Sequence, residues 1–103
     1  MNIPIKVGEN ITLSFVHSIH GGQVFVKYRI TDSGFIPLEI ASKDEASISY
    51  YTDNYTFNGT MFIAELKGET LNKILINGGW KLIVNNQTYV LLNNGIVELS
   101  VVN

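Results

Sequence analysis

Apolar and polar residues alternate from Ile11 onward. Ile11, Leu13 and Phe15 share one parity, and Thr12 and Ser14 take the other. A period of two predicts a half-buried strand over 11–16. Gly21-Gly22 interrupts the pattern, which resumes with Val24, Val26, Tyr28 and Ile30 inward and Lys27 and Arg29 outward. Two alternating runs around a glycine pair predict a hairpin. Thr31-Asp32-Ser33-Gly34 reads as a turn, and Phe35 to Ile40 as a third strand. Pro37 lacks a backbone donor, so this strand is expected at a sheet edge.

Lys43-Asp44-Glu45 reads as a polar connection. Ile48 to Thr52 and Met61 to Leu66 read as further strands, separated by the polar stretch Asp53 to Thr60. Residues 69–76 are ambiguous. Leu71, Ile74 and Leu75 fit one helical face, with Glu69 and Lys73 spaced as an i, i+4 pair. Asn77-Gly78-Gly79 ends that segment in either conformation. Trp80 to Val84, Gln87 to Leu92 and Ile96 to Val102 predict a three-stranded meander, joined at Asn85-Asn86 and Asn93-Asn94-Gly95. Asparagine tolerates the left-handed backbone that such turns need.

Closely spaced strands of this kind predict an all-β domain over 1–103. The expected architecture is an antiparallel β-sandwich or small barrel of about seven to nine strands, with at most one short helix near 70–76. The 103 residues suit one domain with one core. Hydrophobic residues make up 46% and charged residues 16%, a balance that sustains a core and argues against a disordered chain.

The net charge of −2 and the lack of a basic stripe argue against a nucleic-acid partner. No apolar run is long enough for a transmembrane helix. The chain has no cysteine, which excludes disulfides and thiolate metal sites but leaves the compartment open. No motif implies a cofactor or a metal.

Two polar clusters are candidates for function. The first is His17, Ser18 and His20, followed by Gly21-Gly22. On a regular strand, positions i and i+3 face opposite ways, so His17 and His20 are not expected to converge unless a bulge intervenes. No third ligand follows at a recognisable spacing, as a catalytic zinc site requires. His17 shares the inward parity of Ile11, Leu13 and Phe15. That parity predicts a structural imidazole, hydrogen-bonded to a backbone or hydroxyl group and tying two strands together. Ser18 lacks the strained glycine elbow of a hydrolase nucleophile.

The second cluster is Tyr50, Tyr51, Asp53, Asn54 and Tyr55, running on to Phe57 and the Asn58-Gly59-Thr60 turn. Rings interleaved with amides and a carboxylate suit a binding surface for a protein or a small polar ligand. Adjacent tyrosines on a strand face opposite ways, so at least one of Tyr50 and Tyr51 is expected outside the core.

The run Phe15-Val16-His17-Ser18-Ile19, followed by a hydrophobic strand through Tyr28, resembles the opening motif of the family catalogued as domain of unknown function 1850. The closing stretch from Trp80 to Val102 is compatible with that family. The chain differs from its pattern at Val24-Phe25-Val26, where an acidic residue is usual, and at 50–55, where a glycine-rich segment is usual. The resemblance implies an extracytoplasmic accessory module beside a substrate-uptake transporter, without established enzymatic activity.

The sequence therefore favours a non-enzymatic binding or accessory module. Four Asn-x-Ser/Thr triplets, starting at Asn10, Asn54, Asn58 and Asn86, lend an external location some support, with a cytoplasmic one as the alternative. Two other readings stand beside it. One is a small hydrolase-like or metal-binding enzyme centred on His17 and His20. The other is an assembly protein that uses an exposed strand edge.

Overall fold

The computed structural model describes residues 6–17, 19–76, 79–90 and 95–98, with the backbone alone for 75–76 and 95–98. Nine strands and one short helix occur among them. They are β1 (Asn10–Val16), β2 (Gln23–Thr31), β3 (Gly34–Ser42), α1 (Glu45–Ser49), β4 (Thr56–Phe57), β5 (Phe62–Glu65), β6 (Lys73–Ile76), β7 (Lys81–Val84), β8 (Gln87–Val90) and β9 (Gly95–Glu98). Seven strands form one antiparallel sheet in the order β4-β5-β3-β2-β1-β7-β8, and β6 and β9 form a separate two-stranded ribbon. The all-β class holds.

The alternating runs decide which face is buried. Ile11 and Leu13 of β1, Val24, Val26, Tyr28 and Ile30 of β2, and Leu82 and Val84 of β7 are all buried in one cluster. The register lines up Ala64, Ile40, Val26, Leu13 and Leu82 across five strands. Burying a side chain of this size contributes about 1.5–3 kcal/mol. A one-residue slip would turn the whole row to solvent, so the register is strongly specified. On the outer face Lys27 stands opposite Glu39 as an ion pair at 3.9 Å.

β3 is an interior strand, not an edge. Phe35 and Ile40 are both buried although their parities differ. The register against β2 shifts between Lys27 and Tyr28, so that Tyr28 pairs with Pro37 and Lys27 with Glu39. Leu38 is thus the extra residue of a β-bulge, which resets the parity of the strand. β5 pairs with β3 only over 39–42, so Pro37 lies beyond β5. The bulge and the short neighbour accommodate a proline inside the sheet.

The helix lies at Glu45–Ser49, not near 70–76. The expected strand over Ile48 to Thr52 is therefore the end of α1 and the turn that follows. Asp44 caps the helix: its Oδ2 accepts from the backbone N–H of Ser47 at 3.1 Å and from the Ser47 hydroxyl at 2.6 Å. This cap satisfies donors that a strand would have left to a neighbour. Ile48 and Ser47 are buried beneath it.

Residues 70–76 are extended instead. Leu71 forms a bridge with Phe35, bonded in both directions at 2.7 Å, and β6 then pairs with β9. The expected meander is accordingly a β7–β8 hairpin, whose turn residues Asn85 and Asn86 have φ of 50° and 65°. Among the described residues β9 pairs with β6 and not with β8. Residues 91–94 and 99–103, which include parts of the expected strands and the Asn93-Asn94 turn, lie outside the described residues, as does Ser18.

Candidate functional site

β1 ends at Val16, and the chain then crosses to β2 through residues 17–22. The backbone N–H of His17 donates to the Gly22 carbonyl, and Gly21 N–H donates to the His17 carbonyl, both at 2.8 Å. Because His17 has left the strand, the alternation that would have separated it from His20 no longer applies. The two imidazoles converge, stacked at 5.1 Å between centroids and 21° between planes.

His17 is 4% exposed, whereas His20 is exposed. The His17 Nδ1 accepts from the backbone N–H groups of Ile19 at 3.3 Å and His20 at 3.1 Å. An accepting Nδ1 leaves the ring proton of a neutral imidazole on Nε2. The side chain therefore organises its own loop rather than bridging two strands.

The end of α1 delivers Tyr50 and Tyr51 to this loop. Tyr50 lies edge-on to His17 at 4.6 Å, and Tyr51 does so at 5.5 Å. Tyr51 in turn meets Phe15 at 6.3 Å, and Phe15 stacks on Trp80 at 4.3 Å. A continuous run of rings thus extends from Trp80 through Phe15, Tyr51 and His17 to His20 and Tyr50. Its outer end is open: Tyr50 is 59% exposed, Tyr51 46% and Ile19 68%.

Both tyrosines face outward because they follow the helix, not because a strand alternates. Phe15 and Trp80 are members that sequence reasoning did not select. The signals were the position of Phe15 at the end of β1 and the presence of a single tryptophan.

Docking of the loop on α1 depends on Gly22. A Cβ there would overlap the Ser47 hydroxyl and the Asp44 side chain. Ser42 adds a polar link: its hydroxyl donates to the Gln23 carbonyl at 2.8 Å and accepts from Asp44 N–H at 3.1 Å. Asp44, read from sequence only as part of a connection, is thus central. Its carboxyl lies below the usual range chiefly because the Ser47 hydroxyl donates to it; the Ser47 amide and the charges of His20 and His17 add to this, and burial opposes it. An Asp-x-x-Ser cap pattern was the available signal.

The remaining predicted residues sit to one side. Asp53 and Asn54 are exposed in a turn where Asn54 N–H donates to Thr52 Oγ1 at 3.1 Å. Tyr55 does not join the open rings; it packs edge-on against Phe62 at 5.7 Å. Burial raises the Tyr55 phenol above its ordinary value, reinforced by the charge of Glu45, a hydrogen bond to it, and the charge of Asp53. Tyr51 is likewise raised, by burial first and by Tyr50 second.

Among the described residues no group of three His, Cys, Asp or Glu side chains is placed to hold a metal ion, and no described helix is long and apolar enough to cross a membrane. Among the described residues no serine or threonine hydroxyl is shown hydrogen-bonded to either imidazole; the His17 ring accepts from the loop amides, and both rings contact neighbouring aromatics. No family model, curated protein or solved structure matches this chain.

Proposed function

We propose that the chain is a non-enzymatic binding module. It engages a protein or small polar ligand through Tyr50 and Tyr51, with His17, His20, Phe15 and Trp80 as the ring scaffold behind them. The observation that carries the reading is the pair of adjacent exposed tyrosines, backed by rings and by a loop hydrogen-bonded to the buried His17 side chain. Tyrosine supplies broad contact area with few rotors to freeze, and a surface held by packed neighbours binds with less ordering cost. Asp53 and Asn54 follow in the chain as exposed polar groups of the next turn. An extracytoplasmic location is part of the proposal. It is supported by the resemblance of residues 15–19 and by the exposure of all four triplet asparagines.

The test is amide and ring-proton shift mapping by NMR against a panel of peptides and oligosaccharides. Shifts should centre on residues 15–22 and 50–55 and on Trp80. The Tyr50→Ala/Tyr51→Ala protein should keep its amide spectrum elsewhere and lose affinity roughly ten-fold or more. Ligands that map to another face, or affinity undiminished in the double variant, refute the reading.

A further inference from the structure

His17 is a buried titratable side chain whose Nδ1 is already engaged as an acceptor. It receives the backbone N–H groups of both Ile19 and His20. A neutral imidazole offers one bare nitrogen, whereas an imidazolium carries a proton on each. In the charged ring, Nδ1–H would point at two amide N–H groups, and three donors would meet without an acceptor. The closed loop is therefore built around the uncharged ring. Two further loop bonds, His17 N–H to the Gly22 carbonyl and Gly21 N–H to the His17 carbonyl, use backbone alone and do not depend on that proton.

The groups around the ring bear on the same proton. From its own loop, His20 stacks on it at 5.1 Å, so a charge on one imidazole opposes a charge on the other. From the end of α1, Tyr50 and Tyr51 meet it edge-on, and a phenol carries no charge in the imidazole range. From the cap of α1, Asp44 abuts the loop at Gly22, and its carboxylate favours the charged form of either imidazole. The strand ends alongside, 14–16 and 23–26, carry no charge, and Lys43, Glu45 and Lys81 are exposed. Asp44 thus draws a proton toward the pair, while the loop amides oppose it at His17 Nδ1. Both demands are met only when the ring takes the proton and the two amides go to water. Ile19 and His20 are exposed, so water is at hand for them.

We propose that the 17–22 loop is a proton-operated latch: protonation of His17 releases the amides of Ile19 and His20, and with them the support behind Tyr50 and Tyr51, while β1 and β2 stay paired. The open loop binds one more proton than the closed one. The latch is therefore shut at high pH and opens as pH falls through the range where a solvated imidazole titrates, about 6.5. If Tyr50 and Tyr51 form the binding surface proposed for them, that surface is whole only on the neutral to alkaline side. This consequence rests on the binding reading, whereas the latch is observed without a ligand, so each can fail alone.

The test follows the intact chain by NMR from pH 8 to pH 5, the span over which histidine changes charge. Imidazole nitrogen shifts report protonation of His17 and His20. Amide exchange, expressed as protection factors, reports the loop. At the alkaline end His17 should show a bare Nδ1 and a protonated Nε2. On acidification, protection at Ile19 and His20 should fall in step with protonation of His17, by up to about ten-fold per pH unit, the limit for one linked proton. Amides of β1 and β2 should keep theirs. His17→Asn retains an acceptor and cannot take the proton, so both amides should stay protected in acid. His20→Asn should still open at Ile19.

The latch is wrong if protection in the wild-type chain stays flat across this span, or if His17 gains its proton with both amides still protected. It is equally wrong if His17→Asn opens in acid as the wild type does, or if His20→Asn abolishes the opening. Loss of protection in β1 and β2 in step with the loop would make the event unfolding of the whole domain, and would overturn the latch too.

Discussion

Replacing His17 separates two contributions that the structure places on one side chain. The ring accepts two backbone hydrogen bonds through Nδ1, and it packs against Tyr50, Tyr51 and His20. Each hydrogen bond contributes about 0.5–1.5 kcal/mol net. Water replaces part of this, because Ile19 and His20 are themselves exposed. Ring contacts of this kind contribute about 0.5–1.5 kcal/mol beyond burial. His17→Ala should therefore destabilise the domain by roughly 2–3 kcal/mol.

Two further variants divide that loss. In asparagine, Oδ1 stands as far from Cβ as Nδ1 does in histidine. His17→Asn should thus keep the loop bonds and lose the ring contacts. His17→Phe should do the reverse. The assay is urea unfolding, with amide exchange at Ile19 and His20 as a local readout. His17→Asn should retain protection at those two amides, whereas His17→Ala and His17→Phe should lose it. Each kcal/mol corresponds to about 4–8 °C in Tm for a domain near this size. An Ala variant with unchanged midpoint and slope, or a Phe variant that keeps both amides protected, would show that the Nδ1 bonds do not hold the loop.

Gly22→Ala should push the 17–22 loop off α1 and cost roughly 1–3 kcal/mol by overpacking, seen as a lower Tm together with altered Tyr50 and Tyr51 ring shifts; wild-type stability would mean that the loop and cap are not in contact. The lowered Asp44 carboxyl contributes stability above its unfolded value, and this is lost as pH falls through its folded value. Asp44→Asn should flatten the acid side of the stability profile, and an unchanged acid profile counts against the Ser47–Asp44 bond. Tyr28 is raised by burial, so the folded state holds its proton longer than the unfolded chain does and stability falls as pH rises past about 10. Tyr28→Phe should lessen that alkaline loss in denaturant titrations at pH 9 to 11, and an equally steep loss in the variant would place the phenol in water.

Much of the sheet was legible because its causes are local. Ile11 to Phe15 and Val24 to Ile30 alternate with the period of the pleat, which assigns every side chain a face before any partner strand is known. Asn85-Asn86 specifies a two-residue turn through its own backbone preference. The candidate residues were legible as types: His17, His20, Tyr50 and Tyr51 each stood out in the chain.

Tertiary structure decided which strand pairs with which, and which clusters meet. Residues 46–50 carry too short a pattern to choose between strand and helix, and the choice fell to a side-chain cap at Asp44 sheltered by Gly22 from another hairpin. Residues 71–76 are extended because Phe35 and β9 offer them backbone partners far away in the chain. The exit of the chain from β1 brought His17 onto His20, and the docking of α1 brought Tyr50 onto both and Tyr51 onto His17. The physical reason is common to all of these. A side-chain period depends only on the geometry of the backbone that carries it, whereas a backbone partner, a cap or a ring contact depends on which distant segments close onto one another, and no local window of sequence contains that choice.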